Sequence, residues 1–148
     1  MTYTKQLQSL VDEYIKNVDS NNILNLKIII PDFKGDFQLI TDKQLLGRIN
    51  PSKYTELCFF LSFKSQSKKD KLLLGLINEK KHLIDFRQLT DGNRVEFVKK
   101  TGNSEVEILE AADKIINTLF PKVDSDKIRV ELARIIGWHK LTDNKTNL

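Results

Sequence analysis

The chain has 148 residues, of which 40% are apolar and 30% charged, with a net charge of +4 at neutral pH. That size and balance exclude a disordered polymer and suffice for one domain with its own core. The single cysteine, Cys58, excludes a disulfide framework, and the longest apolar runs, Ile28–Ile30 and Cys58–Leu61, are too short for a bilayer-spanning helix.

In chain order, Leu7, Leu10, Val11, Tyr14, Ile15 and Val18 recur at helical spacing and predict an amphipathic helix over about residues 4–18. Asp19-Ser20-Asn21-Asn22 breaks it. Leu24, Leu26, Ile28 and Ile30 alternate toward Pro31, the pattern of a strand, and Phe33–Phe37 reads as a turn leading back through Phe37 and Leu39. Thr41 with Gln44 makes a capping box for a short helix carrying Leu45, Leu46 and Ile49, stopped by Pro51.

The middle of the chain reads as a meander. Its predicted strands are Leu57–Lys64, Lys71–Asn78, His82–Gln88 and Arg94–Lys99. Ser65–Asp70 is the expected hairpin tip and Asp91-Gly92-Asn93 a second turn. Ser104 with Glu107 opens a helix through Ile108, Leu109, Ala112, Ile115, Ile116 and Leu119 up to Pro121. A last helix is predicted over 125–141, with Ile128, Leu132, Ile135 and Ile136 on one side and Val130, Trp138 and Leu141 on the other. The expected fold is therefore a single α+β domain over 1–148. It has a mostly antiparallel sheet, an N-terminal helix and two C-terminal helices packed on the sheet.

The candidate chemistry is sparse. Cys58, His82 and His139 lie on three distant segments, too few and too scattered for a zinc site. A Cys58–histidine nucleophile would need an activating base and an orienting third group that no local motif supplies. The six glycines form no phosphate-binding loop. Pro31-Asp32 at a strand end and Glu79-Lys80-Lys81 at a turn are similar to the motif of the PD-(D/E)xK nucleases, although the gap between them is longer than that motif carries. The resemblance implies Mg²⁺ held by Asp32 and Glu79, with Lys81 steadying the attacking hydroxide or the scissile phosphate and Glu13 as an additional acid.

The charge distribution points to a partner. Residues 64–100 hold ten Lys/Arg against five Asp/Glu, while both flanks are within one charge of balance. Lys64, Lys68, Lys69, Lys71, Lys80, Lys81, Arg94, Lys99 and Lys100 form a candidate phosphate-binding set. The predicted tip at 64–71 and Arg94 fall at one end of the sheet, with Lys80 and Lys81 at the other. Val130, Trp138 and Leu141 form a candidate protein-binding edge. The sequence leads first to a non-enzymatic cytoplasmic protein that needs no cofactor or metal and binds another protein, an acidic one given its basic tips. Nucleic-acid binding through the 64–100 cations is the second reading, and metal-dependent phosphodiester cleavage the third.

Overall fold

The computed structural model describes residues 3–17, 23–45, 56–90 and 93–135. Helix α1 (Tyr3–Asn17) leads into strands β1 (Ile23–Ile29) and β2 (Asp36–Thr41), and a 3-10 turn (Asp42–Leu45) follows. Strand β3 (Leu57–Lys64), helix α2 (Lys68–Ile84) and the hairpin β4 (Arg87–Thr90) and β5 (Arg94–Lys100) come next. Helix α3 (Glu105–Leu119), a 3-10 turn (Ser125–Lys127) and strand β6 (Arg129–Ile135) complete the order. The six strands form one antiparallel sheet in the order β4-β5-β3-β2-β1-β6.

Side-chain alternation decides which face of the sheet the helices cover. Leu57, Phe59, Leu61 and Phe63 of β3 join Phe37, Leu39, Leu26, Ile28 and Phe97 in the main core. Into it α1 sends Leu7, Val11 and Tyr14, α2 sends Ile77 and Ile84, and α3 sends Ile108, Ala112 and Ile115. On the opposite face Ile40, Cys58, Phe60 and Val98 form a smaller cluster with Leu45. Strand β3 is thus buried on both faces, which accounts for its nearly unbroken apolar sequence LCFFLSF ahead of Lys64. The α+β class, the antiparallel sheet and the N-terminal helix follow the expectation. Among the described residues no helix is long and apolar enough to cross a membrane.

Two element assignments change. Residues 71–78 and 82–88, expected as strands of a meander, belong mostly to α2, with only β4 extended. Ser67 Oγ accepts the Asp70 N–H at 3.0 Å and opens the helix, and Leu73, Leu76, Ile77 and Ile84 recur at helical spacing along its inner side. The helix closes at Asp85, which is left-handed at φ 55°, with its N–H bonded to the Lys81 carbonyl. The consecutive Leu72-Leu73-Leu74 had the look of a short buried strand, for which periodicity alone does not separate helix from strand.

The helix expected over 125–141 is instead a 3-10 turn and a strand. Asp124 Oδ1 accepts the Asp126 N–H at 3.0 Å and caps only a single 3-10 turn. Beyond it Ile128 and Val130 face the core and alternate with exposed Arg129 and Glu131, and the whole segment pairs with β1 from Ile29↔Arg129 to Ile23↔Ile135.

The predicted capping signals are realised elsewhere. Gln44 Oε1 accepts the Thr41 N–H at 2.7 Å, and Ser104 Oγ accepts the Glu107 N–H at 3.2 Å. The expectations for Leu46, Ile49, Pro51, Ile136, Trp138, His139 and Leu141, and for Asp91-Gly92, lie outside the described residues.

Because Ser67 caps α2 rather than decorating a solvated tip, Ser67→Ala should destabilise the protein by about 1 kcal/mol, read by urea unfolding. An unchanged midpoint would indicate that the Ser67 hydroxyl contributes nothing to the helix start.

Candidate functional site

One end of the sheet gathers several chain reversals: the β1–β2 turn, the exit of β3 into α2, and the exit of α3 toward β6. The first reversal is fixed by Pro31. Phe33 N–H donates to the Ile30 carbonyl at 3.2 Å, and Asp32 takes a left-handed φ of 63°. Proline in second place and a left-handed residue in third is the type II arrangement, in which glycine or asparagine is the usual occupant. The Lys69 ammonium donates to the Asp32 carbonyl at 3.1 Å and ties the first turn of α2 to this turn.

Between these segments lies a groove of about 550 Å³, within the range of ligand-binding clefts. Leu72, Leu73 and Leu76 of α2 form one wall, and Leu119, Phe120 and Val123 at the end of α3 the other. Pro31 and Phe33 close one side. Phe33 is held between Phe63, with ring centres 6.0 Å apart edge-on, and Phe120, at 5.2 Å. Lys69, Lys122, Lys127, Asp32, Asp70 and Asp124 supply the polar rim. Leu72 stands at this groove 67% exposed.

The candidate cations divide into two groups. Lys64 lies opposite Arg94 in the β3–β5 register, next to Lys68, Lys69 and Lys71 in the first turn of α2. Lys80 and Lys81 occupy the last turns of α2, about 16–18 Å from Lys69 along the helix axis at 1.5 Å per residue. Lys99 and Lys100 end β5, away from the groove. Several of these cations are paired: Arg94 with Asp36 at 2.6 Å, Lys80 with Glu79 and Lys99 with Asp85 at 3.8 Å, and Lys100 with Glu56 at 3.5 Å. The division into two ends follows the sequence expectation, although a helix rather than a meander produces it.

Other predicted residues do not come together. Asp32 touches Lys69, and Glu79 lies ten positions further along α2, about 15 Å of helical rise away. Asp32, Glu79 and Lys81 therefore share no common metal pocket, and Glu13 belongs to α1. Among the described residues no group of three or more His, Cys, Asp or Glu side chains is placed to hold a metal ion. Val130 is only 8% exposed: it packs in the main core, and its N–H donates to Gln6 Oε1 of α1 at 3.3 Å. It belongs to the interior and not to an outer edge.

Cys58 is fully buried on the face opposite the helices, whereas His82 is exposed near the end of α2. Burial pushes the Cys58 thiol up to about 12, and the Asp42 and Glu56 carboxylates add to the rise against a smaller opposing pull from Lys100. A thiol held protonated in this way is the reverse of an activated nucleophile. The Tyr14 hydroxyl is likewise raised, first by burial and then by Cys58.

The groove residues Leu72, Leu73, Leu76, Phe120, Val123, Lys122 and Lys127 were not singled out in the sequence. The Ser67-x-x-Asp70 cap was the available signal: with a helix started there, Leu72 falls off the inward stripe of Leu73, Leu76 and Ile77. No family model, curated protein or solved structure matches the chain.

Two outcomes follow from this geometry. Asp32→Gly should raise stability by about 0.5–1 kcal/mol in thermal or urea unfolding, because glycine takes the left-handed position without strain. Native Cys58 should react with Ellman's reagent at pH 8 only at the rate of unfolding. Its folded value lies above the ordinary 9.0, so stability present below pH 9 should fall as pH rises from about 9 toward 12. Cys58→Ala should flatten that decline by one proton, measured from urea midpoints across the range.

Proposed function

We propose that this protein works by binding another protein, through the groove between α2 and the end of α3, and performs no reaction of its own. The observation that carries the reading is Leu72, a large apolar side chain left mostly in water beside a concave apolar surface. Burying a leucine is worth on the order of 1.5–3 kcal/mol, and an apolar patch with a polar rim is the usual form of an interaction site. The packing behind it supports the same reading. Phe33, Phe63 and Phe120 brace the groove from the core side, so a partner would meet a preformed wall.

The cations of residues 64–100 give weaker support to nucleic acid. They lie at two ends of the molecule, and four of them already face carboxylates. A phosphate backbone favours several free cations along one track.

Leu83, 50% exposed near the opposite end of α2, supplies a matched control. In parallel affinity captures from the native host, Leu72→Glu should lose the proteins recovered by the wild type, and Leu83→Glu should retain them, with both variants melting as the wild type does. Equal recovery by the wild type and Leu72→Glu would remove the groove as the binding surface.

A further inference from the structure

We infer that the groove selects an acidic segment of its partner, one whose apolar side chains enter between α2 and α3 while its carboxylates face the surrounding lysines. This rests on the groove being the protein-binding surface. The grounds are the charge around it and the way that charge is placed.

Lys34 in the β1–β2 turn, Lys64 at the end of β3, Lys68 and Lys71 at the start of α2, and Lys122 and Lys127 beyond α3 all lie at the groove end of the sheet and are exposed. None of the six forms an ion pair with another described residue. At the opposite end Lys80, Lys99 and Lys100 each face a carboxylate, and Lys81 forms an ion pair with no described residue. At the groove end Arg94 is the cation paired with an acid, Asp36. The groove rim itself carries three acids, Asp32, Asp70 and Asp124. Asp124 Oδ1 accepts a backbone N–H, and Asp70 sits in the first turn of α2, where the positive helix end offsets its charge. The Asp32 carboxylate is exposed, and the six lysines outnumber the three acids two to one.

Lys69 has a role in the fold through its bond to the Asp32 carbonyl, but folding does not explain Lys68 and Lys71. These two lie where cations oppose the helix dipole and acids would suit the helix better. Their presence beside an apolar groove fits a partner that brings the acids. Such an arrangement speeds encounter and sets the partner's identity, while the apolar contacts set its lifetime.

The test uses three fluorescein-labelled 16-residue peptides with the same Leu and Phe anchors at helical spacing and polar positions filled by Glu, Gln or Lys, together with (dT)16. Anisotropy is read at 50 and 300 mM NaCl on the wild type, Leu72→Glu and Lys68→Glu/Lys71→Glu. The charge reversal complements the helix dipole, so it leaves the fold secure. The Glu peptide should bind about tenfold more tightly than the Gln peptide at the lower salt, with the gap narrowing at the higher salt. Leu72→Glu should abolish binding, and the double variant should erase the preference. Equal affinity for the Glu and Gln peptides, both lost in Leu72→Glu, overturns the acid selection and leaves the groove as a docking site. Failure of all three peptides overturns both readings. Displacement of the Glu peptide by (dT)16 at matching concentration overturns the inference in favour of a phosphate surface.

Discussion

Strand β3 must be shielded on both of its faces. Seven of its eight side chains are buried, so neighbours are required in the sheet plane and layers above and below it. β2 and β5 supply the in-plane hydrogen bonds, with registers running from Phe37↔Leu61 to Thr41↔Leu57 and from Cys58↔Lys100 to Lys64↔Arg94. The three helices cover the side of Phe59 and Phe63, and Ile40, Leu45 and Val98 pack on the side of Cys58 and Phe60. The groove is a by-product of this burial. With β3 central, α2 leaves its end and returns over the sheet beside α3, and the two helices meet unevenly where one starts and the other stops.

That meeting point is also where local stability is given up. Asp32 occupies a left-handed position that glycine fills without strain, three lysines oppose the dipole of α2, and Leu72 remains in water. Each departure is small. Their concentration at one end, against a core of large and fully buried side chains, is the pattern expected where a surface answers to something besides folding.

Much of the sheet was legible in the sequence because each segment carried one unambiguous period. Leu24 to Ile30 alternates, Leu57 to Phe63 is too short and too rich in phenylalanine for a helix, and the Ser104–Glu107 cap is followed by a clean helical stripe. The errors fell where two periods coexist. Leu72-Leu73-Leu74 satisfies a buried strand and a helix equally, and only the Ser67 cap separates them. In residues 128–132 the apolar positions satisfy both a helical stripe and strict alternation, and pairing with β1 settles the choice in favour of a strand. The groove was hidden for a different reason. Its walls come from three segments far apart in sequence, and its one local signature depends on recognising α2.

The pairing of β1 with β6 joins Ile29 to Arg129, positions a hundred residues apart. During synthesis β1 can pair with β2 almost at once, yet its other edge stays open until nearly the whole described chain has left the ribosome. Contacts of that sequence separation slow folding because the loop between them must first be ordered. An unpaired edge in the interval is a template for another copy's strand. The nascent chain is therefore most vulnerable to mispairing on the side of the sheet remote from α2, and emergence of residues 129–135 ends that exposure.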